Sequence, residues 1–251
     1  MSRKIAFLMP LLFLPAVSRG QLVEEYNPPK ANCCLTMFAH SLADQLEDWN
    51  QLGRYHQDDE RIKALPADPR RVVFLGDSIT DGWKLTQSFP DKPYVNRGIS
   101  GQTTPQMVVR MYPDVLDLKP AALIILAGTN DIARNTGPET LTMIEENFEA
   151  MTDLAHAHGI KVILCALTPV SDYTKNKQTV GRPPADILKL NAWLREYAAG
   201  SHSVYADYYA ATVDDKGMFK DGYSNDGLHP NLKGYELMAP VAEAAIEKTF
   251  E

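Results

Sequence analysis

Short apolar runs and helical patterns alternate along the chain from residue 72 onward. Continuous apolar runs bounded by Gly or Pro are typical of strands that are buried on both faces, as in a parallel sheet. Such runs predict strands at residues 72–75, 121–127, 161–167 and 204–206, with a weaker candidate at 94–96. Apolar residues three to four positions apart predict helices at residues 138–158, 185–199 and 231–248. This alternation implies right-handed βαβ units and a three-layer α/β sandwich.

Two segments without this alternation precede the first strand. Residues 42–62 carry apolar side chains three to four positions apart, which predicts an amphipathic helix that packs on the main domain. Before it, Pro28 and Pro29 indicate an extended arm. The chain has no internal repeat and no low-complexity linker. We therefore predict an N-terminal arm and helix over residues 21–70 and a single domain over residues 71–251.

The first twenty residues have the pattern of a cleavable signal peptide. Arg3 and Lys4 precede an apolar stretch at residues 5–17, which is shorter than the roughly 20 residues that a membrane-spanning helix needs. Residues 18–20 place small side chains where a signal peptidase reads them, so we expect cleavage before Gln21 and a secreted or periplasmic protein. An intact N-terminus on exported material, found by mass spectrometry, would contradict this expectation.

Charge and cysteine content exclude several classes of protein. With 25 Lys and Arg against 32 Asp and Glu the formal net charge is −7, and loss of the three basic residues of the signal peptide lowers it to −10. This acidic balance argues against nucleic acid as a partner, because nucleic-acid-binding proteins carry a basic patch. Three Cys residues are too few for a disulfide framework or a four-thiolate zinc site. Cys165 lies in an apolar run and is expected in the core.

Polar residues cluster where the predicted strands end, which is where α/β sheets bind ligands. The first strand is followed by GDSIT at residues 76–80, the weak second one by NRGISG at residues 96–101, and the third by GTND at residues 128–131. A fourth block, DGLH at residues 226–229, precedes the last helix.

These blocks contain the parts of a nucleophilic site. A hydroxyl is a poor nucleophile until a base takes its proton, and His is the usual base near neutral pH, commonly oriented by a carboxylate. We therefore predict that Ser78 is the nucleophile, His229 its base and Asp226 the acid that orients the imidazole. The oxyanion would be held by the Ser78 backbone N–H, by the N–H of a glycine in the second block and by the Asn130 side-chain amide.

At these four blocks the sequence resembles the SGNH hydrolases, also called the GDSL esterase and lipase family. The resemblance extends from residue 72 to about residue 249 and is greatest to bacterial exported members of the acetylhydrolase-like branch. It implies a flavodoxin-like five-stranded parallel sheet, a Ser78–Asp226–His229 triad, and ester hydrolysis without a metal or cofactor. For the second oxyanion donor the family motif favours Gly101, whereas Gly98 would instead relieve crowding near Ser78. The choice between these two glycines stays open at this point.

The substrate is predicted from the segment after the fourth strand. Residues 169–186 are polar and lack the apolar stretch expected of a lid over long acyl chains. We therefore expect short acyl esters, such as acetyl esters, of a carbohydrate or a small alcohol, and no membrane-spanning helix. The alternatives are a thioesterase or lysophospholipase with the same triad and, in a different class, a non-catalytic module that binds a glycan or a protein partner.

Five other polar or aromatic positions have structural interpretations. Asp77 is expected to cap the turn beneath the nucleophile, and Asp131 to cap the segment that follows it. Trp83 would either line an acyl pocket or cover the base of the helix after Ser78. His156 and His158 are two positions apart on a helix, do not share a face, and so are not expected to bind a metal.

Overall fold

The computed structural model describes residues 48–251, so the predicted signal peptide and most of the predicted arm lie outside the described residues. Five parallel strands form one sheet in the order β2-β1-β3-β4-β5. They are β1 (Val72–Gly76), β2 (Tyr94–Gly98), β3 (Ala122–Leu126), β4 (Lys161–Cys165) and β5 (Val204–Ala206). The predicted strands, including the weak one, are therefore confirmed.

Eleven helices accompany the sheet within residues 48–251. They are α1 (His56–Lys63), α2 (Ser78–Asp81), α3 (Leu85–Ser88), α4 (Thr104–Val109), α5 (Met111–Asp114), α6 (Thr129–Ile132), α7 (Leu141–Ala157), α8 (Gln178–Gly181), α9 (Pro184–Gly200), α10 (Tyr208–Thr212) and α11 (Leu232–Thr249). A short 3₁₀ turn at Leu116–Leu118 leads into β3. No helix of this part of the chain combines the length and apolarity that a membrane span requires.

The sheet is buried on both faces because successive strand residues point to opposite sides. In β1, Val73 and Leu75 join the core under α4, α7 and α9, whereas Val72 and Phe74 join the core under α2 and α11. The strands β1 and β3 are buried throughout, which explains their continuous apolar runs. These two layers of helices around a parallel sheet confirm the predicted three-layer, flavodoxin-like fold.

The strand order places the candidate residues at one edge of the sheet. The strand β1 pairs with β2 on one side and with β3 on the other, so the strand order reverses across the sheet at this point. In open α/β sheets the ligand binds beyond the carboxyl ends of the strands at such a reversal. The GDSIT block leaves β1 there, and the GTND block leaves β3 beside it.

The predicted helix over residues 42–62 is wrong over residues 48–55 and confirmed over residues 56–62. Residues 48–54 form turns, and the helix begins only at His56. The Asp48 carboxylate accepts the backbone N–H of Leu52 at 2.7 Å and of Gly53 at 2.8 Å, which closes a turn in place of a helical hydrogen-bond ladder. Trp49 is 57% exposed as a result, so the apolar spacing there does not mark a packed helical face.

Candidate active site

Ser78 lies on a sharp turn between β1 and α2. The Asp77 carboxylate accepts the Ile79 backbone N–H at 2.9 Å and caps α2, as predicted from the sequence. A Cβ atom on Gly76 would lie 2.2 Å from Thr80 Oγ1, so only glycine lets the helix start this close to the strand. The Ser78 backbone N–H donates to no acceptor in residues 48–251, which leaves it available to a bound molecule.

Ser78, His229 and Asp226 form a continuous hydrogen-bonded chain. His229 Nε2 lies 2.8 Å from Ser78 Oγ, and His229 Nδ1 lies 2.6 Å from Asp226 Oδ2. Partial burial acts to raise the pKa of Asp226, but hydrogen bonds from the His229 ring and from two backbone amides lower it to about 2. The carboxylate is therefore ionised at neutral pH and holds the Nδ1 proton, so Nε2 is free to accept a proton from Ser78.

The loop that carries Asp226 and His229 is fixed by its own backbone. Asp226 Oδ1 accepts the backbone N–H of His229 at 2.8 Å, which folds the carboxylate back onto the ring. Gly227 adopts a φ of 84°, and a Cβ there would lie 2.3 Å from the Ser171 carbonyl oxygen. The Ser171 N–H donates to the Gly227 carbonyl at 2.8 Å, so this loop is anchored to the segment that follows β4.

The two candidate glycines of the second block have different surroundings. The Gly98 N–H is already used, since it donates to Asn96 Oδ1 at 2.8 Å, and a Cβ on Gly98 would lie 2.1 Å from the Asp81 backbone nitrogen. Gly101 adopts a φ of 84° in an open turn, and its N–H has no acceptor among the residues that the structure describes. The geometry thus favours the Gly101 N–H as the donor to the oxyanion. Gly98 instead leaves room for α2 to pass close to the end of β2.

Asn130 lies on α6, directly after β3. Gly128 begins this helix with a φ of 103°, a left-handed conformation that glycine adopts without strain. Asn130 Nδ2 donates to the Gln102 carbonyl at 3.0 Å, beside Gly101, and its Oδ1 accepts from Arg182 Nη2 at 3.2 Å. Because Nδ2 carries two protons, one remains for a further acceptor.

Residues 74–237 match the family model of the GDSL-like Lipase/Acylhydrolase family. The chain belongs to this family. The resemblance stated from the four blocks is therefore confirmed. Esterases among the relatives, together with the family itself, support hydrolysis of an ester bond.

Three relatives of this GDSL-like chain illustrate the range of similarity. The crystal structure of a GDSL-like lipase from Bacteroides thetaiotaomicron is 35% identical with a TM-score of 0.74, and the match covers 80% of this chain and 98% of that one. An acetylxylan esterase from Xylanibacter ruminicola is 28% identical over 227 residues, 74% of this chain and 45% of its own length. Esterase TesA from Pseudomonas aeruginosa is 26% identical over 175 residues, 64% of this chain and 80% of its own. The chain thus spans less than half the length of the acetylxylan esterase.

Two polar side chains of the GDSL-like site were not predicted from the sequence, because the polar composition of residues 169–186 indicates only that an apolar lid is lacking there. Arg182 donates through Nε to Thr129 Oγ1 at 3.1 Å, in addition to its contact with Asn130. Gln178 accepts from Arg182 Nη1 at 3.2 Å and donates to the Asp226 carbonyl at 3.0 Å. The segment therefore connects the asparagine of the site to the loop of the acid and the base.

A buried arginine behind the site was also missed. Arg110 is fully buried and donates through Nη2 to the Gly76 carbonyl at 2.9 Å and through Nε to Gln102 Oε1 at 2.6 Å. Its charge is balanced by Asp114, 2.9 Å away. One side chain thus fixes the end of β1, before Ser78, relative to the turn that carries Gly101.

The cleft beside Ser78 is shallow and open, with a volume of about 420 Å³. It is lined by Ser78, Asp81, Gly82, Ser100, His229, Pro230 and Tyr235. Trp83 does not line this cleft, because it is buried, stacks on Tyr235 with ring centroids 5.2 Å apart and contacts Phe74 edge-on. Of its two predicted roles, Trp83 covers the base of α2. Within residues 48–251, no three His, Cys, Asp or Glu side chains are grouped so as to hold a metal ion.

A pair of buried acids lies behind Asn130. Asp131 Oδ1 accepts the backbone N–H of Thr104 at 2.8 Å, so Asp131 caps α4. The prediction that it caps the segment following it in sequence is therefore wrong. One carboxylate oxygen of Asp131 and one of Glu139 have no partner in the described part of the chain. Burial, which is the larger cause, and the nearby charge of Asp131 together raise the pKa of Glu139 to about 8. Glu139 therefore keeps its proton at neutral pH.

Replacing Glu139 with glutamine is expected to remove a pH dependence of stability. In the unfolded chain a glutamate titrates near 4.3, so between about pH 4.5 and 8 the folded state binds a proton that the unfolded state has released. The wild-type Tm should consequently fall as pH rises through this window, by roughly 5 °C. Glu139→Gln donates a hydrogen bond at every pH and should flatten the profile. Thermal unfolding from pH 5 to 8.5 measures this, with exposed Glu146→Gln as the control, and parallel wild-type and Glu139→Gln profiles would contradict it.

Proposed function

We propose that the protein is a serine esterase that hydrolyses short acyl esters, acetyl esters in particular, of a carbohydrate or a small alcohol. The observation that carries this proposal is the hydrogen-bonded chain from Ser78 through His229 to Asp226, together with three available donors, the backbone N–H groups of Ser78 and Gly101 and the second N–H of Asn130 Nδ2. A site of this kind needs no further group for acyl transfer. Export of the protein stays a prediction that rests on residues 1–20.

The reaction would proceed through an acyl-enzyme. Ser78 Oγ attacks the ester carbonyl carbon while His229 Nε2 takes the hydroxyl proton, and the Asp226 carboxylate stabilises the imidazolium that forms. The negative charge on the carbonyl oxygen would be held by the backbone N–H groups of Ser78 and Gly101 and by Asn130 Nδ2. His229 then protonates the leaving alkoxide, and a water molecule repeats the sequence on the acyl-enzyme to release the acid.

The surroundings of Ser78 favour a small substrate. A long acyl chain needs a deep apolar cavity to enclose it, and the cleft at Ser78 is shallow and open. Trp83, the large aromatic side chain after the nucleophile, is buried under α2 and is not available to a ligand. The helix α8, in the segment that borders the site, has no buried residue and therefore offers no apolar face closed over the cleft. One relative is named as an acetylxylan esterase, that is, an esterase of an acetylated carbohydrate.

Labelling with a fluorophosphonate, combined with a series of p-nitrophenyl esters, tests the proposal. We expect one label per chain, found on Ser78 by peptide mass spectrometry and lost in Ser78→Ala, with Ser203→Ala at the opposite end of the sheet as the control. The acetate should be hydrolysed with a kcat/KM at least about tenfold above that of the dodecanoate, because the shallow cleft offers a long chain no deep cavity to enter.

Each alternative has its own outcome in this experiment. Absence of the label near neutral pH would favour a non-catalytic binding module. Equal kcat/KM for short and long esters would contradict the short-chain preference, and faster turnover of a matched acetyl thioester than of the oxygen ester would favour a thioesterase.

A further inference from the structure

Arg182 is a partly buried cation without a carboxylate partner in the described part of the chain. It lies between α8 and α9, and none of the ion pairs formed by residues 48–251 includes it. Its donors bind only neutral oxygens, on Thr129, Asn130 and Gln178. Burial lowers the pKa of Arg182, which the more distant charges of Asp77 and Asp226 oppose. A guanidinium in such a place has no evident role in stability, because burying a charge without a counter-charge costs free energy.

The contact with Asn130 fixes which way the amide faces. A side-chain amide has an oxygen that accepts and a nitrogen that donates, and the two ends have nearly the same shape. Arg182 has only hydrogen-bond donors, so it donates to Asn130 Oδ1 and would repel the N–H groups of Nδ2. The opposite end, Nδ2, is thereby directed to the Gln102 carbonyl beside Gly101. Without Arg182, rotation of the amide would present an acceptor to the oxyanion.

The charge of Arg182 also changes the strength of the amide as a donor. A cation that binds an amide oxygen draws electron density away from the nitrogen, and the N–H groups become stronger donors through this polarisation. Such an effect grows as water is displaced from around the charge, and Arg182 is partly buried. The benefit would appear when negative charge develops on the substrate oxygen.

We propose that Arg182 is a positioning residue of the oxyanion hole, which orients the Asn130 amide and polarises its N–H groups toward the oxyanion. The inference rests on the proposed function, since it gives Asn130 the role of an oxyanion donor. Thr129 and Gln178 hold the guanidinium in place. Because Gln178 also donates to the Asp226 carbonyl, one hydrogen-bond network positions both Asn130 and the loop that carries Asp226 and His229.

Kinetics of Arg182→Met and Arg182→Lys test the proposal. For p-nitrophenyl acetate we expect Arg182→Met to lower kcat by about 10- to 50-fold with KM changed less than about twofold, a smaller loss than removal of a whole oxyanion donor. Arg182→Lys keeps the charge and should recover part of this loss. The rate of fluorophosphonate labelling should fall in parallel with kcat. Arg195→Met, an exposed position on α9, is the matched control, and the Tm of each variant shows that it folds.

A double-mutant cycle with Asn130→Ala separates a positioning role from a general structural one. If Arg182 acts through the Asn130 amide, Arg182→Met should lower kcat no further in the Asn130→Ala background. An undiminished additional loss in that background, an unchanged kcat in the single variant, or a loss confined to the KM of esters that carry a carboxylate would each overturn the proposal. Failure of the wild-type enzyme to hydrolyse esters or to accept the label would instead contradict the proposed function.

Discussion

Replacing His229 with alanine is expected to lower kcat for p-nitrophenyl acetate by about 10⁴- to 10⁶-fold, the largest effect that we predict. The reason is that one ring performs both proton transfers. Its Nε2 lies 2.8 Å from Ser78 Oγ, and its Nδ1 is held 2.6 Å from the Asp226 carboxylate. Alanine leaves the Ser78 hydroxyl without a base at the start of the reaction and the leaving alkoxide without an acid. The remaining rate over water would come from the oxyanion donors alone.

The fold of the His229→Ala variant should be little changed. The imidazole is partly exposed and packs into neither core cluster of the described residues, so the Tm is expected to stay within a few degrees of wild type. Stopped assays at high enzyme concentration are needed to measure so slow a rate. His156→Ala, exposed on α7, is the matched control and should keep full activity. If His229→Ala retains more than about a tenth of the wild-type kcat, another group is the base and the proposed mechanism fails.

The sheet could be predicted from the sequence because its strands are buried on both faces. In β3, every residue from Ala122 to Leu126 is buried, and a continuous apolar run is the direct consequence. The edge strand β2 gave a weaker signal for the same reason, since its first three residues are only half-buried. The turns at residues 48–54 could not be predicted from apolar spacing. They depend on the Asp48 carboxylate binding two backbone N–H groups, and hydrophobic periodicity does not register such a contact.

The site could be predicted as far as its residues lie in short contiguous blocks. Asp226 and His229 are three positions apart, and Ser78 follows a strand, so their chemistry is visible locally. Arg110 and Arg182 have partners far along the chain: Arg110 binds the Gly76 carbonyl 34 positions away, and Arg182 binds Asn130 52 positions away. Only the topology of the sheet brings such groups together, and a single sequence contains no marker for either contact.

The choice between Gly98 and Gly101 depended on backbone geometry. Both are glycines in one six-residue block, and either residue could be required for space or for an N–H group. Gly98 is required for space, because α2 passes so close that a Cβ would overlap its backbone. Gly101 is required for its conformation, since its φ of 84° leaves the N–H unpaired in the described part of the molecule. Glycine is thus required at both positions for different reasons, for space at Gly98 and for backbone conformation at Gly101.

Replacing Asn130 with alanine is expected to lower kcat by about 10²- to 10³-fold with KM nearly unchanged, because the lost donor acts mainly on the charge that develops in the transition state. Steady-state kinetics on p-nitrophenyl acetate measure this, with exposed Asn176→Ala as the control. A loss that falls on KM instead would assign Asn130 to substrate binding, and an unchanged kcat would remove it from the oxyanion hole.

Asn130→Asp sharpens this prediction, because it keeps the shape of the side chain and changes only its chemistry. The new carboxylate would pair with Arg182, which already binds the oxygen of Asn130 at 3.2 Å, and this ion pair offsets the loss of the hydrogen bond from Nδ2 to the Gln102 carbonyl. The second carboxylate oxygen would then replace Nδ2 and face the developing oxyanion with a like charge. We therefore expect Asn130→Asp to lose at least as much kcat as Asn130→Ala, although it is the more conservative change in shape. If Asn130→Asp were the more active of the two variants, the amide would act by filling space and not by donating a hydrogen bond.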